Sequence, residues 1–127
     1  MEFKNSKSIA LQIADNLSER ILNGSIHIDE RIPSVRELAV EMGVNPNTIV
    51  RSYAELQSKN VITNSRGIGY FVAKEAKEII QKWRKDQFFE TELPEFVRQM
   101  NILGITYSEL DAPISKILKN LKNENKQ

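Results

Sequence analysis

Residues 33–53 read PSVRELAVEMGVNPNTIVRSY, and the fold is decided in this stretch. Ser34 is followed three residues later by Glu37, the spacing of a capping box in which both side chains satisfy free backbone N–H groups at a helix start. Val35, Leu38, Ala39 and Met42 then recur at helical spacing and share one face. Gly43 ends that short helix, because glycine takes the left-handed cap conformation without steric cost. Only Val44 precedes a second start signal, Asn45 as N-cap with Pro46 at the first helical position. The second helix of the pair buries Ile49, Tyr53 and Leu56 and is expected to end near Asn60, which tolerates positive φ. A protein core has no use for Asn45, Asn47 and Thr48 ahead of Arg51, so this polar face needs another partner.

Working outward, residues 8–23 carry Ala10, Ile13, Ala14, Leu17 and Ile21 as one apolar helical stripe, with Gly24 as its stop. A polar turn is expected at residues 25–31. Downstream, the β-prone residues 61–64 and 70–72 flank a glycine-containing turn at 65–69 and read as a hairpin. Helix, helix, tight turn, helix, hairpin is the order of a winged helix-turn-helix. The expected fold class is therefore mainly α with a small β-hairpin. A winged helix-turn-helix domain is set at residues 1–73, and a short all-helical segment follows at 74–127.

That segment shows no strand signal. Ala76, Ile79, Ile80 and Trp83 form one stripe, with Phe88 and Phe89 beyond it, and Leu93, Phe96, Val97, Met100 and Leu103 form a second. Gly104 breaks the pattern, Thr106 and Glu109 make another capping box, and Leu110, Ile114, Ile117, Leu118 and Leu121 make a last stripe with a kink expected at Pro113. The end, KNLKNENKQ (residues 119–127), is expected to fray. Packing accounts for Trp83, Phe88, Phe89 and Phe96 better than a ligand pocket does, since so few helices rarely enclose one.

Composition narrows the function by exclusion. With 127 residues, 40% hydrophobic and 28% charged, the chain suits one domain with an appendage. No apolar run approaches the roughly 18 residues of a membrane span. MEFKNSKSIALQI lacks the apolar centre of a signal peptide, which makes the cytoplasm the expected location. There is no cysteine and only one histidine, His27, so thiol chemistry and the usual zinc sites lack material. No phosphate loop, nucleophile elbow or triad is present, and neither an enzyme nor a cofactor is expected. Net charge is +1 overall and +2 within residues 31–72, where five Lys/Arg face three Asp/Glu. A nucleic-acid binder usually has a stronger basic footprint, so placement must carry the case.

The placement is favourable. In a helix-turn-helix the second helix presents its N-terminal turn to the DNA major groove. Asn47 and Thr48 are short hydrogen-bonding groups at that turn. Asn45 there can cap, contact phosphate, or do both. Arg51, one turn on, can reach guanine or a phosphate. Ser34 and Arg36 open the preceding helix and suit phosphate positioning, although Arg36 could equally pair with an acidic neighbour. Arg66 and Gly67 form the hairpin tip, where a basic side chain suits a minor groove. Tyr53, Tyr70 and Phe71 fall on apolar faces and are read as core.

Residues 24–72 resemble the DNA-binding domain of the GntR family of bacterial regulators. The carrying motifs are P-S-V-R-E-L-A at 33–39, G-V-N-P-N-T at 43–48, and the wing R-G-I-G-Y-F-V at 66–72. The resemblance implies DNA contacts at Arg36, Asn47, Thr48, Arg51 and the wing tip Arg66–Gly67. Asp29-Glu30 stands where the family usually has Pro-Gly, implying a differently shaped turn, and Asn60 stands where it commonly has glycine. The short tail is similar to that of the YtrA subfamily, whose C-terminal helices pair two subunits. This implies a homodimer joined through Ile79, Trp83, Phe88, Phe96 and Met100, acting as a repressor on a palindromic double-stranded DNA operator. Nothing indicates a small-molecule effector, though a pocket between tail and winged domain is a third reading. The main alternative is a winged-helix module that binds protein and has lost DNA.

Overall fold

The computed structural model describes residues 7–125. In order it contains α1 (Ile9–Leu22), α2 (Val35–Met42), α3 (Pro46–Ser58), β1 (Ile62–Ser65), β2 (Gly69–Val72), α4 (Ala76–Gln87), a π-helical turn (Phe88–Glu92), α5 (Leu93–Leu103), a 3-10 turn (Ser108–Leu110) and α6 (Asp111–Asn125). Two compact units result, one ending at Arg84 and the other starting at Lys85.

In the first unit the expected helix starts and stops are realised. Ser8 caps α1, accepting from the Leu11 N–H at 3.2 Å. The Ser34–Glu37 capping box opens α2, and Gly43 closes it at φ 66°. Asn45 caps α3 ahead of Pro46. Asn60 takes φ 64°, the left-handed geometry its short side chain tolerates. The core joins Ile13, Ala14, Leu17 and Ile21 of α1 to Leu38 and Ala39 of α2 and to Ile49, Tyr53 and Leu56 of α3. Burying each such Ile or Leu contributes about 1.5–3 kcal/mol, which fixes the angle of the helix pair. Ser52 is buried as well, its hydroxyl 2.7 Å from the Ala10 carbonyl, so a polar group ties α3 to α1.

β1 and β2 pair antiparallel, Ile62 opposite Val72 and Ser65 opposite Gly69, around a turn of residues 66–68. The expected polar turn at residues 25–31 is found as a run of bends and turns, but it also contributes to the core and pairs with the wing. Ile26 is buried, and the chain from Asp29 to Ile32 lies against β2. Asp29 N–H donates to Val72, Val72 N–H to Glu30, and Ile32 N–H to Tyr70, all at 2.9–3.0 Å. Asp29 enters this pairing at φ 66°, so the shape of the turn at 29–30 comes down to one left-handed residue. The domain edge set at residue 73 also shifts. Ala76 and Ile80 are fully buried in the winged core, and Arg84 pairs with Glu19 of α1, so the first unit extends through Arg84.

In the second unit, the N–H of Leu93 bonds the Phe88 carbonyl five residues back. Pro94 follows at once, and a proline ring collides with the carbonyl four residues earlier in a regular helix. The widened turn relieves that collision. Gly104 caps α5 at φ 69°, and both limbs of the Thr106–Glu109 box are present. Pro113, the expected kink site, sits in the first turn of α6, where its missing N–H has no intrahelical partner to lose, and the helix runs on to Asn125. Of the stretch expected to fray, residues 119–127, the part up to Asn125 belongs to α6, and the last two residues lie outside the described part.

Candidate nucleic-acid interface

α2 and α3 bring most of the expected contact residues to one place. Ser34 spends its acceptor on the Glu37 N–H at 3.1 Å, while its own N–H donates to Glu37 Oε1 at 3.2 Å. That hydrogen bonding with Ser34, side chain first, holds the Glu37 carboxyl below the usual carboxylate range. Asn45 Oδ1 accepts from the Asn47 N–H at 2.8 Å, which leaves the Asn45 amide NH2 as a donor. Asn47 and Arg51 are exposed and Thr48 is half-buried. Arg36 and Pro46 line the same shallow recess with Ala39, Val40, Gly43 and Val44, which sets the α2 arginine beside the first turn of α3.

Four of the described basic residues are ion-paired, and the arginines of this region are not among them. Lys7, Lys59, Arg84 and Arg98 all hold carboxylates. Among the described residues no ion pair engages Arg36, Arg51 or Arg66, and all three are exposed. The acidic pairing left open for Arg36 is therefore not formed. Arg36 beside the first turn of α3, and Arg51 one turn further along that helix, put exposed guanidiniums near a helix N-terminus, a combination suited to an anion.

Tyr53 ties this surface to the wing. Its hydroxyl donates to the Pro33 carbonyl at 2.5 Å, and its ring meets Tyr70 edge-on with centroids 4.9 Å apart. Burial first, and then the neighbouring Tyr70, raise its phenol pKa, so it stays a donor. Arg66 and Gly67 stand exposed at the hairpin tip, Gly67 at φ 80°.

Two wing residues were missed from sequence. Arg31 Nε donates to the Ile68 carbonyl at 3.1 Å and lies across Gly69. A Cβ on Gly69 would stand 2.7 Å from that nitrogen, and the φ of 140° there already favours glycine. Arg31 thus braces the wing from the preceding segment. The adjacency of "DER" to "GIGY" emerges only once residues 29–32 pair with β2.

The residues expected at a dimer contact divide. Ile79 packs against the winged core, and Trp83 carries the Lys59 ammonium 3.2 Å above its ring, so both already have partners in the first unit. Phe88 and Phe96 are 43% and 47% exposed, and Met100 is half-buried. No group of three or more His, Cys, Asp or Glu fit to hold a metal occurs among the described residues. No described helix is long and apolar enough to cross a membrane.

A three-helix core with a tight turn between α2 and α3, followed by a braced hairpin, is the architecture of a winged helix-turn-helix DNA-binding regulator. Residues 9–72 match the model of the bacterial regulatory proteins of the gntR family, and the chain belongs to that family. It is a YtrA-like member. It is 40% identical over 109 residues to the HTH-type transcriptional regulator YhcF of Bacillus subtilis, covering 86% of this chain and 88% of that one. To the HTH-type transcriptional repressor YtrA of the same organism it is 28% identical, over 97% of this chain and 94% of that one. A crystal structure of a GntR-family regulator from Bacteroides thetaiotaomicron superposes with a TM-score of 0.76 at 46% identity, covering 90% and 99% of the two chains. Family and relatives are transcriptional regulators and not enzymes.

Proposed function

We propose that the protein is a homodimeric, sequence-specific repressor that acts in the cytoplasm on a palindromic operator. The observation that carries this reading is the exposed, unpaired Arg36 and Arg51 at the polar first turns of α3, with Arg66 likewise exposed and unpaired at the wing tip. In this reading Asn47, Thr48 and Arg51 read bases or grip phosphate in the major groove. Ser34, Arg36 and Asn45 hold the backbone, and Arg66 with Gly67 enters the minor groove. Similarity over nearly full length to a protein named a repressor supports the sign of regulation.

The dimer rests on the second unit. Of the described residues from 88 to 125 none is buried, although Phe88, Phe89, Phe96, Val97, Leu118 and Leu121 are large and apolar. Helices with apolar faces that nothing in their own chain covers call for a partner. A second copy would bury Phe88, Phe96 and Met100, with the uncovered parts of Ile79 and Trp83 at the edge. Two-fold pairing would set two copies of α3 on successive half-sites.

A mobility-shift assay on DNA upstream of the protein's own gene tests the contact surface. Arg36→Ala and Arg51→Ala are each expected to weaken binding, Arg51→Ala by about 1–3 kcal/mol with relaxed specificity. Wild-type affinity in both variants would place the surface elsewhere. One observation favours the rival protein-binding module, the near-neutral charge of the winged domain. That rival requires no DNA affinity even at low salt.

A further inference from the structure

The exposed face of α3 holds a feature that polar DNA contacts do not explain. Ile49, Ser52, Tyr53 and Leu56 point into the core. On the outer side, Asn47, Val50, Arg51 and Ala54 fall within an arc of roughly 100°, with Arg51 at one edge and Val50 at the other. Val50 is 50% exposed, and neither it nor Ala54 belongs to the core or its packed fringe. A β-branched residue on a solvated helix face gains nothing from packing and is a poorer helix former than alanine or lysine. Its companion one turn later, Ala54, presents another bare methyl. The strip offers two amphipathic surfaces side by side, polar at Asn47 and Arg51 and apolar at Val50 and Ala54.

We propose that Val50 and Ala54 form a methyl-reading patch that selects thymine in each operator half-site. In the major groove thymine alone presents a methyl group, at C5, and small apolar side chains are what recognise it. An amide and a guanidinium on the same strip then read or position the neighbouring steps. Val50 acts as a specificity-determining residue, while affinity comes from the arginines. This inference rests on the proposed use of α3 in the major groove.

The test uses the full-length chain and the tightest duplex it selects from a randomised library. Each thymine is replaced in turn by deoxyuridine, which keeps the base pair and removes only the methyl group. Wild type is expected to lose about fourfold in affinity at one or two thymines per half-site, the effect of one methyl left in water. Val50→Ala is expected to lose a similar factor on the thymine duplex and to ignore deoxyuridine at one of those positions, the non-additivity of a direct contact. The variant replaces a half-exposed residue with a better helix former, so its melting temperature is expected to match wild type. Deoxyuridine effects within about twofold at every thymine, within the scatter of independent sites, would overturn the proposal. So would a Val50→Ala variant that keeps the full wild-type sensitivity, or a selected half-site without thymine. Arg51→Ala, measured in parallel, separates the two levels. If it weakens binding while deoxyuridine does not, only the methyl contact fails. If it binds as wild type does, or no duplex is selected, the DNA-facing role of α3 fails and this inference with it.

Discussion

At the scale of single residues, the proposed recognition surface is held in place by side chains that bridge α3, the segment before α2 and the wing. Tyr53 joins α3 to the segment before α2 through its bond to Pro33 and to the wing through Tyr70. Tyr53→Phe keeps the ring and removes the hydroxyl, and is expected to cost about 1 kcal/mol of stability, measured by urea unfolding, with the Pro33 carbonyl left without its donor. Gly69→Ala leaves the core side chains in place but displaces Arg31 from the wing and strains the backbone at φ 140°. Its expected signature is weaker DNA binding together with a lowered melting temperature, and unchanged affinity would show that the brace is dispensable. The role of Tyr53 as core was legible from its helical spacing. The Arg31–Gly69 contact was not, because it depends on a left-handed residue, Asp29, in a stretch whose composition reads only as a polar turn.

Helix boundaries were the most legible elements, since their signals are local. Ser34, Glu37, Gly43, Asn45 and Pro46 each act within one turn of their position, and each caps or opens the helix its residue type suggests. Ser34→Ala is expected to cost about 1 kcal/mol through loss of the α2 cap. The box is also pH-sensitive. Glu37 has a folded pKa below its unfolded value, so its contribution is fully present above the ordinary carboxylate range. It fades as pH falls through the lowered value. The melting-temperature gap between wild type and Glu37→Gln should therefore be constant at neutral pH and close on acidification. Elements set by long-range contacts were less legible. The π-turn before Pro94 and the uninterrupted run of α6 past Pro113 depend on where each proline falls within its helix, a register that apolar spacing fixes only to within a residue or two.

For the whole molecule, the unsettled quantities are charge and partnership. A formal charge of +1 is small for a DNA-binding protein. Arg36, Arg51 and Arg66 are exposed and hold no carboxylate among the described residues, so their charge is not spent within the chain. In a two-fold dimer each would count twice. Phe96→Asp is expected to abolish dimerisation, read by sedimentation equilibrium, and to weaken operator binding while the winged domain stays folded. A wild-type monomer at micromolar concentration would refute the role given to the tail. The apolar stripes of the tail were legible in the sequence. What covers them was not, because periodicity marks a face and says nothing of its partner.

The most direct measurement is the salt dependence of DNA affinity for wild type and Arg36→Ala. If the unpaired arginines hold phosphates, log K should fall steeply and linearly with log salt, by about 0.9 for each phosphate neutralised. Arg36→Ala should flatten that slope by about two in a dimer, one phosphate per subunit. An affinity that ignores salt, or a slope that Arg36→Ala leaves untouched, would contradict the assignment of this surface to DNA.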